Sequence, residues 1–302
     1  MQRVTALAFI VGALPFLLCA GAYAGEKELT DEVKATDGKE IHEGSRWLDD
    51  YRAPVGFTYG AQARVQTTYL WRGLYAGGMN IQGDANVGYG GLYFDMWWNI
   101  GTTDWSFKTF QPEVDLALGF SRWGIDASVV FIHNFNCLFF DFSNHPYPSS
   151  GNALELDFRY TVSSKLPLSI LWATRVSASD GYTEDSPSEA GLSTDTIRAY
   201  STYIELSYTH HFAYGISLFG AVGVTPWRSL YTSYQRGFAV QNVEVRLRKD
   251  WDVSAHCGLM VQGVLSVKPW ALAADKSTAE WHPLDPWAQS VNANLAVGVY
   301  LK

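Results

Sequence analysis

Beyond its first 24 residues this sequence holds no apolar run of the roughly eighteen residues that a membrane-spanning helix needs. Any passage of that part through a bilayer must use strands. Charge is scarce, at 17% of the 302 residues, and positive charge is scarcer, with a formal net charge of −8. That balance argues against nucleic acid or an anionic surface as partner. Cysteine is rare, three residues in all; Cys137 and Cys257, the two beyond the leader, fall on a loop and in mid-strand and suggest no disulfide framework. None of the seven histidines is followed two places on by serine, so the local signature of a nucleophile with its base is missing.

What is there instead is aromatic and polar in alternation. Aromatic residues make up 15% of the chain, glycine occurs 27 times, and the mean hydropathy is −0.06. Met1-Gln-Arg3, the apolar stretch from about Ala6 to Ala20 and Ala22-Tyr-Ala24 have the layout of a signal peptide over residues 1–24. Residues 25–55 are mostly charged, lack period-two alternation, and read as a solvated periplasmic extension.

From Phe57 onward the pattern changes. In Met79–Tyr89 the odd positions carry Met79, Ile81, Ala85, Val87 and Tyr89 against Asn80, Gln82, Asp84 and Asn86. After Gly90-Gly91 the apolar set moves to Leu92, Phe94, Met96, Trp98 and Ile100. Successive side chains of an extended chain point to opposite faces, so each half is a two-faced strand, joined at the glycines by a hairpin turn. About twelve such runs follow one another, each close to the nine to eleven residues of a tilted membrane strand. The first is expected to continue through Trp71 and Arg72. Connections alternate in length: short ones include Gly90-Gly91, Ser121–Trp123 and Lys249-Asp250, while long ones cover about 101–111, 136–152, 178–197, 225–238 and 268–286. Only the first connection on the long side, Leu74 to Gly78, is short.

This is the layout of an all-β, antiparallel up-and-down transmembrane barrel of about 12 strands over residues 56–302, with both ends on the periplasmic side. A soluble sandwich would carry lysine on its outer faces, whereas these polar faces hold Asn, Gln, Asp, Glu, Ser and Arg and almost no lysine. Tyr69, Trp71, Tyr89, Phe120, Tyr160, Tyr200, Trp270 and Trp287 fall near strand ends, where interfacial girdles form.

The succession Tyr69-Leu-Trp-Arg-Gly73, Ile81-Gln-Gly83, Gly91-Leu-Tyr-Phe94 and Glu113-Val-Asp-Leu-Ala-Leu-Gly-Phe120 resembles the TorF-type outer-membrane porin family. The match is tightest over about residues 65–135. It implies an outer-membrane location and a channel role, with no catalytic residues to carry over. The chain departs from the usual aromatic ending, since Leu301-Lys302 follow Tyr300.

Parity places Arg64, Arg72, Arg159, Arg175, Arg246 and Arg248 inside, with Asp84, Asp95, Glu113, Asp115, Asp126, Glu155, Asp157, Glu205, Glu244 and Asp252. Cross-strand ion pairing in a crowded interior is the plain reading of these residues. A charged constriction is the functional one, its acidic excess favouring cations or neutral solutes. Inward Tyr93, Trp97, Tyr203 and Phe219 are expected to take up much of a twelve-strand lumen. His133 and His210 fall on lipid faces, and neighbouring His210 and His211 point apart, so no metal site is expected. The loop Ser177–Thr196 is acidic but lacks regular oxygen-ligand spacing. The expectation is a porin-like channel for passive diffusion of small hydrophilic solutes, without cofactor or catalysis, with outer-membrane lipids and those solutes as partners. A plugged barrel with a structural or surface-binding role is the alternative, and an outer-membrane hydrolase ranks third.

Overall fold

A computed structural model describes residues 56–102, 110–135, 152–163, 165–176, 180–182, 197–272 and 290–301. The expected signal peptide and charged extension, together with Cys137, Trp287 and most of the acidic loop, lie outside the described residues.

Sixteen strands follow in chain order among these residues. They are β1 (Phe57–Gln66), β2 (Tyr69–Trp71), β3 (Leu74–Gly77), β4 (Asn80–Tyr89), β5 (Leu92–Thr102), β6 (Phe110–Arg122), β7 (Ile125–Asn134) and β8 (Ala153–Thr161). Then come β9 (Leu168–Arg175), β10 (Gly181–Tyr182), β11 (Ile197–Arg198), β12 (Thr202–Phe212), β13 (Ile216–Thr225), β14 (Ala239–Asp252), β15 (Cys257–Val267) and β16 (Val291–Leu301). Twelve of them close an antiparallel barrel in the order β1-β16-β15-β14-β13-β12-β9-β8-β7-β6-β5-β4, while β2-β3 and β10-β11 form separate two-stranded sheets. Closure runs through β1 and β16, with Gln62 opposite Tyr300 and Arg64 opposite Gly298. That pairing removes the last free edge, which a hydrocarbon setting requires.

Alternation decides which face goes where. Along β16 the exposed Val291, Leu295 and Val297 alternate with buried Asn292, Asn294 and Ala296. β12 repeats this with Leu206 and Tyr208 outside and Tyr203, Glu205 and Ser207 inside. The molecule is therefore turned inside out relative to a soluble domain: its large exposed side chains are apolar and its buried set is rich in amides, carboxylates and guanidinium groups. An apolar belt facing out and a polar interior is what a bilayer selects. Tyr59, Tyr89, Trp123, Tyr214 and Trp251 are exposed at the short-turn end, and Trp172, Tyr200, Trp227 and Phe238 toward the other. Trp227 donates its indole N–H to the carbonyls of Ala199 and Tyr200, which suits a ring that is apolar on one side and wet on the other.

Several expectations need correction. β14 continues past Lys249-Asp250 to Asp252, and the turn lies at 253–256, so Cys257 opens β15 instead of sitting in mid-strand. Cys257 is also disulfide-bonded, its partner lying outside the described residues. The first strand stops at Gln66, and the connection to β4 folds as the β2–β3 hairpin. Tyr69 and Trp71 therefore leave the girdle: Tyr69 packs on Trp97 with ring centroids 5.5 Å apart, and Trp71 on Tyr231 at 5.4 Å. Trp270 is half-buried and donates to Gln241 Oε1 at 2.7 Å. His133 keeps its outward parity but is 2% exposed, bonded to Asn152 at 2.6 Å and flanked by the Phe131 and Phe135 rings.

Candidate functional site: the charged lumen

The β2–β3 hairpin turns on Arg72-Gly73, both at positive φ (48° and 79°). Two consecutive positive φ values define the two-residue hairpin turn that matches strand twist, and glycine accepts this more readily than arginine. Gly73 also has no room for a side chain, since a Cβ there would lie 2.8 Å from the Gln241 carbonyl oxygen. The β13–β14 register shifts between Gly223 and Val224, and the extra residue it leaves on β14 is Gln241. With this bulge both Gln241 and Asn242 are fully buried, and Gln241 Nε2 donates to the Arg72 carbonyl at 3.3 Å.

From that turn the Arg72 side chain meets β8. Its Nη1 and Nη2 donate to Glu155 Oε2 and Oε1 at 2.9 and 2.8 Å, a two-pronged pair, and Nη2 stands 3.5 Å from Asp157 Oδ2. Nη1 also donates to the Tyr231 hydroxyl at 2.6 Å, and the guanidinium lies 5.3 Å from the Tyr203 ring centre. An apolar cluster continues through Leu74, Leu171, Tyr203, Leu230, Tyr231 and Tyr234. Breaking one side of a buried ion pair costs about 3–5 kcal/mol.

Tyr231 is held by the outer connection 226–238. Leu230 N donates to Ser201 Oγ at 2.7 Å, and Ser201 donates from both its backbone N and its Oγ to Asp180. Tyr234 OH adds a third bond to Asp180 at 3.0 Å. Burial raises the Asp180 carboxyl above the ordinary aspartate range, against the lowering effect of the two Ser201 bonds. The Tyr234 phenol is raised as well, by burial first and by the neighbouring Asp180 second.

Under the hairpin lies a cavity of about 210 Å³. At about 30 Å³ per molecule of liquid water, that is room for a handful of waters. β5 to β8 line it with Asp95, Asp115, Asp126, Glu155 and Asp157, and Arg159 is the one cation they add. Arg64 and Arg72 reach it from β1 and the hairpin, Glu205 from β12, and Glu244 with Arg246 from β14. Asp84, Glu113, Arg175 and Arg248 do not line it. Arg175 lies 5.3 Å from the Trp71 ring, and Arg248 chelates Asp250 at 2.8 to 3.0 Å. Asp252 is exposed at the end of β14, where the longer strand carries it to the rim, and it drops out of the lumen set.

Inward aromatics take up space as expected. Tyr93 donates to Asp126 Oδ1 at 2.9 Å, Tyr203 donates to Glu205 at 2.8 Å, and Arg246 stands 4.9 Å from the Phe219 ring. Two of the ion pairs run along a strand, where a cross-strand pattern was expected: Glu244–Arg246 at 2.7 Å and Arg248–Asp250 at 2.8 Å. Positions i and i+2 share a face, so one extended segment can neutralise itself. The roles of Gly73, Asp180, Tyr231, Gln241 and Asp250 were not foreseen, Asp180 having been read only within the acidic loop and Asp250 as part of a turn. Only the glycine after Arg72, between two aromatic-rich steps, hinted at a turn.

No family model matches the chain, and no curated protein matches it. Among solved structures it is similar to a KdgM porin at TM-score 0.41 and 8% identity, over 80% of this chain and 98% of that one. A Pseudomonas aeruginosa FadL homologue gives 0.37 and 8%, over 85% and 93%. The Salmonella typhi OmpF complex with Daunomycin gives 0.34 and 7%, over 81% and 97%. The barrel itself is established by its own strand pairing. An even number of strands, short turns at one end and an apolar outer belt place the fold with outer-membrane barrels of porin type.

Proposed function

We propose that this chain is an outer-membrane channel through which small hydrophilic solutes diffuse along a charged lumen, after export directed by residues 1–24. The observation that carries this reading is the pairing of a closed apolar belt with an ionic interior that keeps a cavity at its centre. Seven carboxylates and four guanidinium groups line that cavity among the described residues. Their excess of negative charge lowers the free energy of a cation in the lumen and raises that of an anion, so cations and neutral solutes are favoured. Purified protein in a planar bilayer tests this: discrete conductance with a reversal potential of cation sign in a KCl gradient is expected. Anion preference, or no conductance by the wild type or by any variant loosened at the hairpin, rejects it.

The small volume of the cavity and the hairpin across the lumen favour a second reading, a plugged barrel that serves as structure or as a binding surface. A wild type that stays silent while a loosened variant conducts supports that reading.

A further inference from the structure

Resting on the channel reading, we propose that Glu155 and Asp157 form a guanidinium-sized cation site which the chain fills with its own Arg72, so that the β2–β3 hairpin is a strap held shut across the lumen.

The carboxylates stand at i and i+2 on β8, on one face of the strand, so both can address a single planar cation. One guanidinium already shows the fit, bidentate to Glu155, 3.5 Å from Asp157 and roofed by the Tyr203 and Trp71 rings at 5.3 and 4.9 Å. Trp71 travels with the hairpin, whereas the two carboxylates and the Tyr203 face stay on the barrel, and carboxylates beside an aromatic face are surroundings that hold organic cations.

The occupant is carried on a separable element. β2 and β3 pair only with each other and form a sheet apart from the barrel. Their turn docks through Arg72 to Glu155, Asp157 and Tyr231 and through Gln241 to the Arg72 carbonyl, beside the apolar packing of Tyr69 on Trp97, Trp71 on Tyr231 and Leu74 in the buried cluster. Arg72 sits at φ 48°, a conformation that disfavours a side chain with a Cβ. The side-chain contacts thus hold a backbone that the residue itself does not favour. Loss of the ionic contacts therefore loosens the turn and leaves apolar packing alone to hold the strap, while the barrel ladder, to which β2 and β3 contribute no strand, stays paired. Arg72 excludes other cations from the two carboxylates, and an amine- or guanidinium-bearing solute entering from the cavity occupies them once Arg72 is removed.

Arg72→Gly removes the side chain while easing the turn, and Glu155→Gln removes the charge at nearly constant shape. With heat-modifiable gel migration confirming a folded barrel, both variants are expected to exchange the amide hydrogens of 69–77 at least about tenfold faster than wild type. Where current is measurable, both are expected to conduct about twofold more or better. Millimolar guanidinium chloride is expected to lower the Arg72→Gly current and to leave the wild type unchanged. Unaltered exchange in both variants overturns the strap, and an equal guanidinium response in wild type and Arg72→Gly overturns the site. Faster exchange without current in any protein supports the strap and counts against the channel reading instead.

Discussion

The ring of Tyr93 on β5 lies across Gly119, its paired residue on β6, so closely that a Cβ added at Gly119 would meet the ring at 2.4 Å. From there the Tyr93 hydroxyl reaches Asp126 on β7, so one aromatic side chain ties three strands together inside the lumen. Gly119→Ala is therefore expected to displace the ring and break the Asp126 bond, at about 1–3 kcal/mol of barrel stability. Urea unfolding in lipid vesicles, followed by tryptophan emission, measures this. An unshifted midpoint refutes it.

Two residues on opposite faces of β12 offer a test of which face meets lipid. Leu206 is 53% exposed and flanked in register by Ile170 and Val222, whereas Thr209 lines the cavity. Leu206→Arg sets a charge into hydrocarbon and is expected to cost about 2–4 kcal/mol, while Thr209→Arg costs far less. Equal penalties in vesicle refolding exclude a lipid-facing belt at this height.

Selectivity depends on the acid wall. Asp95 and Asp115 contribute two of the seven carboxylates on the cavity. Replacing both by asparagine is expected to move the reversal potential of the channel toward zero in a KCl gradient, because the lumen loses two negative charges with little change in shape. A potential that stays at the wild-type value would show that selectivity is set elsewhere.

Asp180 gives a pH dependence of definite sign. Its carboxyl is raised above the ordinary value of about 3.9, so the folded form binds a proton more tightly than the unfolded form. Stability from this group is present in full below the unfolded value and is lost as pH rises through the raised one. Packing of 197–201 against 229–235 is therefore expected to tighten on acidification from neutral pH. Asp180→Asn, which still accepts from Ser201 N, is expected to flatten that response. Amide exchange at Ser201 and Leu230 across pH reads it out, and a mutant as pH-sensitive as the wild type disproves the assignment.

The strand plan was legible because it is local. Along β4 and β5 each residue declares its face by parity, and Asp95, Asp115 and Glu205 fall on the inner wall as alternation predicts. The girdle was legible in part, at Tyr89, Tyr160 and Tyr200. Tyr69 and Trp71 were misread because an aromatic residue near a strand end has the same appearance whether the chain continues along the wall or turns inward. The Lys249-Asp250 turn was misplaced for a related reason: two charged residues resemble a turn until register shows Asp250 opposite Met260.

By itself the sequence determined that this chain would alternate, close and hide its charges, since period-two patterning and the scarcity of long apolar runs leave a strand barrel as the remaining way to satisfy every backbone group in lipid. Only the tertiary structure decided that Arg72 leaves the wall and crosses to Glu155, 83 positions away. Alternation states which side of a strand a residue occupies. It holds no information about a turn whose backbone is disfavoured locally and held by partners on β8, on β14 and in the 226–238 connection.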